Sequence, residues 1–186
     1  MVMQRRTSGQ SIVEMAFVLP VLLFLLFGII EFGYVMFAYS TVSQAARNAA
    51  ESAAQLPPYQ TWLANRNSFS GVPSFKSDSC VSAIYFAARS DQTMFTNISN
   101  GITISYPDDA VLGRDTRNLE DRGPIQVTIT YQLTGITPLF QLLRLNNGIL
   151  LTVTQRRSIE NLGVDPSKPG NIACAKDVAT WRVMNP

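Results

Sequence analysis

The chain has 186 residues, room for one anchoring segment and one modest domain. Apolar residues make up 46% and charged residues 15%, against roughly 25% charged in an ordinary soluble domain, so the apolar excess must be concentrated somewhere. A net charge of +2 leaves no basic stripe for nucleic-acid phosphates, and with no His and two Cys a His-dependent triad and a Cys/His zinc site within the chain are excluded.

Met1 to Gly9 carries Arg5 and Arg6 and no acid, and the apolar run begins at Ile12. From Met15 to Ile30 no residue is charged; Glu31 closes the run and FGYVMFAY continues it to Tyr39. A helix from Ile12 to Tyr39 measures ~42 Å, enough to cross a hydrocarbon core of roughly 30 Å. The run exceeds the ~7–15 apolar residues of a removable secretory signal. Arg5 and Arg6 on one flank, against Arg47 alone on the other, place the N-terminus in the cytoplasm by the positive-inside rule, with Tyr34 and Tyr39 near the outer interface. Pro20 deprives the Ala16 carbonyl of its intrahelical donor, which either kinks the helix there or is simply tolerated, as proline is in membrane helices. Glu14 and Glu31 lie ~25 Å apart along the helix, one near each membrane face, and Glu31 reads as a water-reachable interfacial carboxylate, with a functional one as the alternative. Beyond the span, STVSQAARNAAESAAQ remains helical in character. Its rows Ala45, Ala49, Ala53 and Ala46, Ala50, Ala54 either permit close approach of another element or reflect plain helix propensity. Pro57 and Pro58 stop the helix, so one spine from Ser11 to Leu56 is predicted, ~69 Å long.

The hexapeptide Gly9-Gln10-Ser11-Ile12-Val13-Glu14, behind a short basic leader and before an apolar helix, resembles a type IV prepilin processing motif. More closely, residues 9–54 resemble the N-terminal segment of TadE-like proteins, pseudopilins of the tight-adherence (Flp) pilus system, including the Glu31-Phe32-Gly33 element. Met15 departs from the aromatic that usually follows the Glu. A weaker likeness extends over residues 125–160, and residues 57–124 carry none. The resemblance implies cleavage after Gly9 by a membrane prepilin peptidase, leaving Gln10 with a free amine. It also implies a register role for Glu14. A carboxylate is favoured in the first turns of a helix, and in lipid or a filament core it needs a partner, which the amine of a neighbouring subunit can supply; the alternative is that Glu14 lies among the headgroups and pairs with water.

From Pro57 onward the sequence reads as strands and turns. Cys80–Ala88 fits a strand or a short helix; Ile102–Tyr106, Ile125–Leu133 and Leu150–Ile159 alternate as strands. Thr137–Leu143 suggests a short helix with Pro138 in its first turn, and Asn146-Asn147-Gly148 a turn. Cys80 and Cys174, beyond the membrane in an oxidising compartment, read as a disulfide, with two free buried thiols as the alternative. The mixed charges of Pro107–Gly123 mark a solvated loop without the ligand spacing of an EF-hand. Asn97-Ile98-Ser99 is a sequon by pattern only.

The expected class is α+β: leader 1–9, transmembrane and Ala-rich spine helix 10–56, and an extracytoplasmic domain 57–186 with a three- or four-stranded antiparallel sheet. The expected role is that of a structural minor pilin or pseudopilin, contributing to pilus assembly and surface adhesion, located in the bacterial inner membrane or on the pilus. Its expected partners are the bilayer, the prepilin peptidase and other pilin subunits, with no cofactor, metal, nucleic acid or small-molecule substrate. The alternative is an uncleaved platform subunit of the same machine. A hydrolase would draw on carboxylates such as Asp108 and Asp109, but no nucleophile–base pair is spaced for it.

Overall fold

The computed structural model describes residues 8–65, 78–90, 98–113, 117, 123–144 and 147–184. Arg5 and Arg6 of the expected leader, Asn97 of the sequon pattern, Asn146 of the expected turn and most charges of 114–122 lie outside them. Helix α1 runs from Ser8 to Gln55, 48 residues, passing Pro20 without a break. Short helices α2 (Gln60–Asn65), α3 (Ser79–Arg89), α4 (Pro107–Leu112), α5 (Pro138–Leu142) and α6 (Val178–Met184) surround three strands, β1 (Ile102–Ser105), β2 (Pro124–Leu133) and β3 (Ile149–Ser158). The class is α+β.

The sheet order is β1-β2-β3. β1 pairs antiparallel with β2, Ile102 opposite Ile129 and Ile104 opposite Val127. On β3, Thr154 meets Thr128 at 3.0 Å and the Arg156 Nε donates to Gln126 Oε1 at 2.7 Å, so β2 and β3 also run in opposite senses. Alternation does what the sequence suggested. Ile125, Val127, Ile129 and Leu133 are buried while the polar positions between them face outward. β3 buries only Val153 fully, as suits a strand with a neighbour on one side.

The chain forms two compact units. The first comprises the N-terminal part of α1, up to Ala38, with Gln132–Ile149; the second comprises Tyr39–Tyr131 with Leu150–Pro186. In the first unit the apolar residues of α1 from Ile12 to Leu26 are exposed, Phe17 by 75%. The window qualifies as a membrane span by length and composition, with mean hydropathy 2.6 and none of it buried. In the second unit the character of α1 reverses. Val42, Ala45, Ala46, Ala49, Ala50, Ala53 and Ala54 are at most 2% exposed. Both alanine rows are therefore buried, and these small side chains bring the helix backbone itself into the core. The end of α1 is secured by the chain that follows β3: Glu160 N–H donates to the Ala54 carbonyl at 2.9 Å, satisfying one of the carbonyls a helix terminus leaves over.

Two sequence expectations are settled or corrected here. Cys80–Ala88 is the helix, not the strand, because Asp78 caps it and Cys80, Val81, Ile84, Tyr85 and Ala88 fall on one buried face. Pro107–Gly123 is not simply a solvated loop. Pro107 at the first position, acids in the first turn and a left-handed Gly113 (φ 65°) at the end build α4, and Asp109 and Arg117 are only 8% exposed.

Candidate functional site

The residues singled out by the sequence fall into three places. Gly9, Gln10 and Glu14 occupy the first turns of α1. Gly9 is exposed, and a Cβ added there would meet nothing within 4 Å. The first turn of a helix has N–H groups without intrahelical acceptors, so the Gly9–Gln10 bond sits where the helix opens at least cost. The Glu14 side chain is exposed. Seventeen residues separate it from Glu31, about 100° around the helix, so the two acids lie on different faces and form no single site.

Glu31 differs from its expected setting. It is 5% exposed, and its Oε1 accepts the Thr137 backbone N–H at 2.6 Å, just ahead of α5. Its Oε2 has no hydrogen-bond partner among the described residues. The cover comes from Gln132–Ile149, the other member of its unit, with Leu139 and Phe140 buried. Only tertiary structure brings a backbone donor from 106 residues away to this carboxylate.

The third place is where the chain leaves α1, and most of it was invisible in the sequence. Arg117 donates from Nε to the Pro57 carbonyl at 2.8 Å and from Nη2 to the Leu162 carbonyl at 3.0 Å, and its guanidinium lies 3.8 Å from the centre of the Tyr59 ring. Tyr106 Oη donates to the Pro58 carbonyl at 2.5 Å. Asp78, 1% exposed, receives Ala175 N–H at 2.7 Å on Oδ1 and Cys80 and Val81 N–H on Oδ2. Burial pushes its carboxyl above the ordinary range, against the pull of those three donors and of Arg117. Next to Asp78, Ser79 Oγ donates to the Ala173 carbonyl. Cys80 and Cys174 are joined across 94 residues, packed with Ala173 against Leu56 and Tyr59. Gly163 (φ 71°) lies beside this bridge, and a Cβ there would come within 2.8 Å of the Cys174 sulfur. Pro57–Tyr59, α3 and the chain after β3 are thereby bound into one joint at the end of the long helix. The sequence signalled the Cys80–Cys174 bridge and the helix stop at Pro57-Pro58; Asp78-Ser79 ahead of an apolar run, a helix start, was a further signal for α3.

Asp108 and Asp109 sit in the first turn of α4, where acids suit the helix dipole. Among the described residues no group of three or more His, Cys, Asp and Glu is placed to hold a metal ion.

Residues 9–51 match the family model described as TadE-like protein. Comparison with curated proteins and with solved structures returns no match.

Proposed function

We propose that this TadE-like chain is a minor pilin or pseudopilin of a Tad-type pilus, cleaved after Gly9 and carried by α1 first in the inner membrane and then among neighbouring subunits. The observation that carries this reading is that the family match over 9–51 falls on one uninterrupted helix with two surfaces. Up to Leu26 its apolar side chains are bare and suit lipid or other apolar helices; from Val42 its small residues are buried in a folded domain. Such a helix carries the chain from a membrane or filament core into an extracytoplasmic domain, and the joint at Pro57–Tyr59 fixes its end within that domain. Cleavage exposes the amine of Gln10 four residues before Glu14. In a low-dielectric core a carboxylate is stabilised by a compensating cation, and the amine of the next subunit supplies one to Glu14 and sets the axial step.

The test is Glu14→Gln, which keeps the helix, its apolar surface and Gly9. Breaking a buried pair by removing one partner costs about 3–5 kcal/mol. At ~1.4 kcal/mol per tenfold, incorporation into sheared filaments should fall at least about a hundredfold while membrane content and cleavage remain normal. Normal incorporation of a correctly cleaved Glu14→Gln subunit refutes the register role.

A further inference from the structure

We propose that the connection between β2 and β3 is a second membrane contact, seated in the leaflet at the Glu31 end of α1 and fixing how deeply the helix inserts. The proposal rests on the reading of α1 as a membrane span and goes beyond it. Counting from Ile12, Glu31 lies about 28 Å along the helix, close to the hydrocarbon thickness of roughly 30 Å. At that height the surface of α1 changes. Phe27 and Gly28, then Glu31, then Tyr34 and Val35 become partly or fully covered, a one-sided stripe at helical spacing, while Ile29, Ile30 and Phe32 stay exposed. The cover is Gln132–Ile149, tied to Glu31 through the Thr137 N–H.

The covering segment is itself apolar on its outer side. Leu139 and Phe140 point inward, but Ile136, Leu142 and Leu143 are 54–73% exposed. Burying three such side chains is favourable, and each keeps more than half of its surface exposed. The segment QLTGITPLFQLLRLNNGI holds one charged residue, the exposed Arg144, and no acid. Short apolar helices flanked by a cation are suited to the headgroup boundary, where the side chains enter the acyl region and the guanidinium meets lipid phosphate. The patch belongs to the same unit as the bare apolar surface of α1, so the bilayer that surrounds the helix is the occupant closest at hand. The Glu31–Thr137 bond then acts as a collar. It pairs an acid that lipid would otherwise reject and holds the apolar segment at one height on the helix.

The experiment uses the full chain with its native disulfide oxidised, one copy per nanodisc of phosphatidylcholine and phosphatidylglycerol. An environment-sensitive fluorophore is attached at Leu142→Cys, with Leu19→Cys and Val111→Cys as references and lipids spin-labelled near the headgroup or near the bilayer centre as quenchers. The expected result is a blue-shifted Leu142→Cys label quenched several-fold more by the shallow than by the deep spin label. The Leu19→Cys label should be quenched by the deep one and the Val111→Cys label by neither. A quenched Leu19→Cys with a water-like, unquenched Leu142→Cys overturns the collar and leaves the span standing; loss of quenching at both removes the span itself. Shielding of the Leu142→Cys label that arises only when several copies share a disc makes a second copy the occupant and overturns the lipid assignment.

Discussion

Replacing Arg117 by Ala tests whether the joint at the end of α1 is as stiff as its contacts imply. Arg117 is 8% exposed, supplies two hydrogen bonds to the backbone carbonyls of Pro57 and Leu162, and stacks on Tyr59. A hydrogen bond from a charged donor contributes about 1.5–3 kcal/mol, and a partly desolvated cation–π contact about 0.5–2 kcal/mol. These do not add fully because all three act through one side chain, which sets the expected loss at about 3–5 kcal/mol. Against a total stability of about 5–15 kcal/mol for a typical domain, that is a large share. Urea unfolding of the full chain in detergent micelles, followed by the fluorescence of the buried Trp62, reports the second unit directly. Arg117→Lys keeps the charge but not the fork, so it should fall between the two proteins. An Arg117→Ala midpoint equivalent to less than about 0.5 kcal/mol of change, the range of an ordinary surface substitution, refutes the reasoning.

Removing the bridge by Cys80→Ser with Cys174→Ser releases a loop of 94 residues, and the chain-entropy model, ~4.7 kcal/mol for a 100-residue loop, predicts a loss of several kcal/mol with early proteolysis after Gly163; an unchanged urea midpoint and digestion pattern contradict this. Asp78→Ala leaves the N–H groups of Ala175, Cys80 and Val81 without their acceptor and should lower stability by about 2–4 kcal/mol. Its pH dependence has a definite sign. The folded carboxyl keeps its proton to higher pH than the unfolded one, with its ordinary value near 3.8. The advantage of the native protein over Asp78→Ala should therefore be greatest below that value and shrink as pH rises through the raised folded one, which urea midpoints measured across acid pH will show.

What the sequence disclosed and what it withheld divide along a physical line. α1, β1, β2, β3 and the Pro138 helix were legible because each is written locally, in an unbroken apolar run, in period-two alternation, or in a proline at a helix start. The alanine rows were legible only in part: alanine at helical spacing permits close packing, but plain helix propensity produces the same pattern. The disulfide was an inference from compartment, not from local pattern. The setting of Glu31 was not legible. A carboxylate at the edge of an apolar run looks like one that reaches for water, and its partner is a backbone N–H more than a hundred residues away. Arg117 was hidden among alternating charges that ordinarily mark a solvated loop, and nothing local distinguishes it from Arg114 or Arg122. The hairpin connection was read as a short helix and a turn, with no sign in the pattern that it would join the N-terminal part of α1 in one unit.

The central claim, that this is a processed pilin-like subunit, turns on the mature N-terminus. Mass spectrometry of the chain from the membrane fraction and from sheared filaments should find Gln10 as the first residue in both, and Gly9→Leu should retain Met1 and be missing from the filaments. A wild-type chain that keeps its Met1 peptide in cells with an active prepilin peptidase, and never appears in the sheared fraction, contradicts the claim and identifies an uncleaved membrane platform subunit instead.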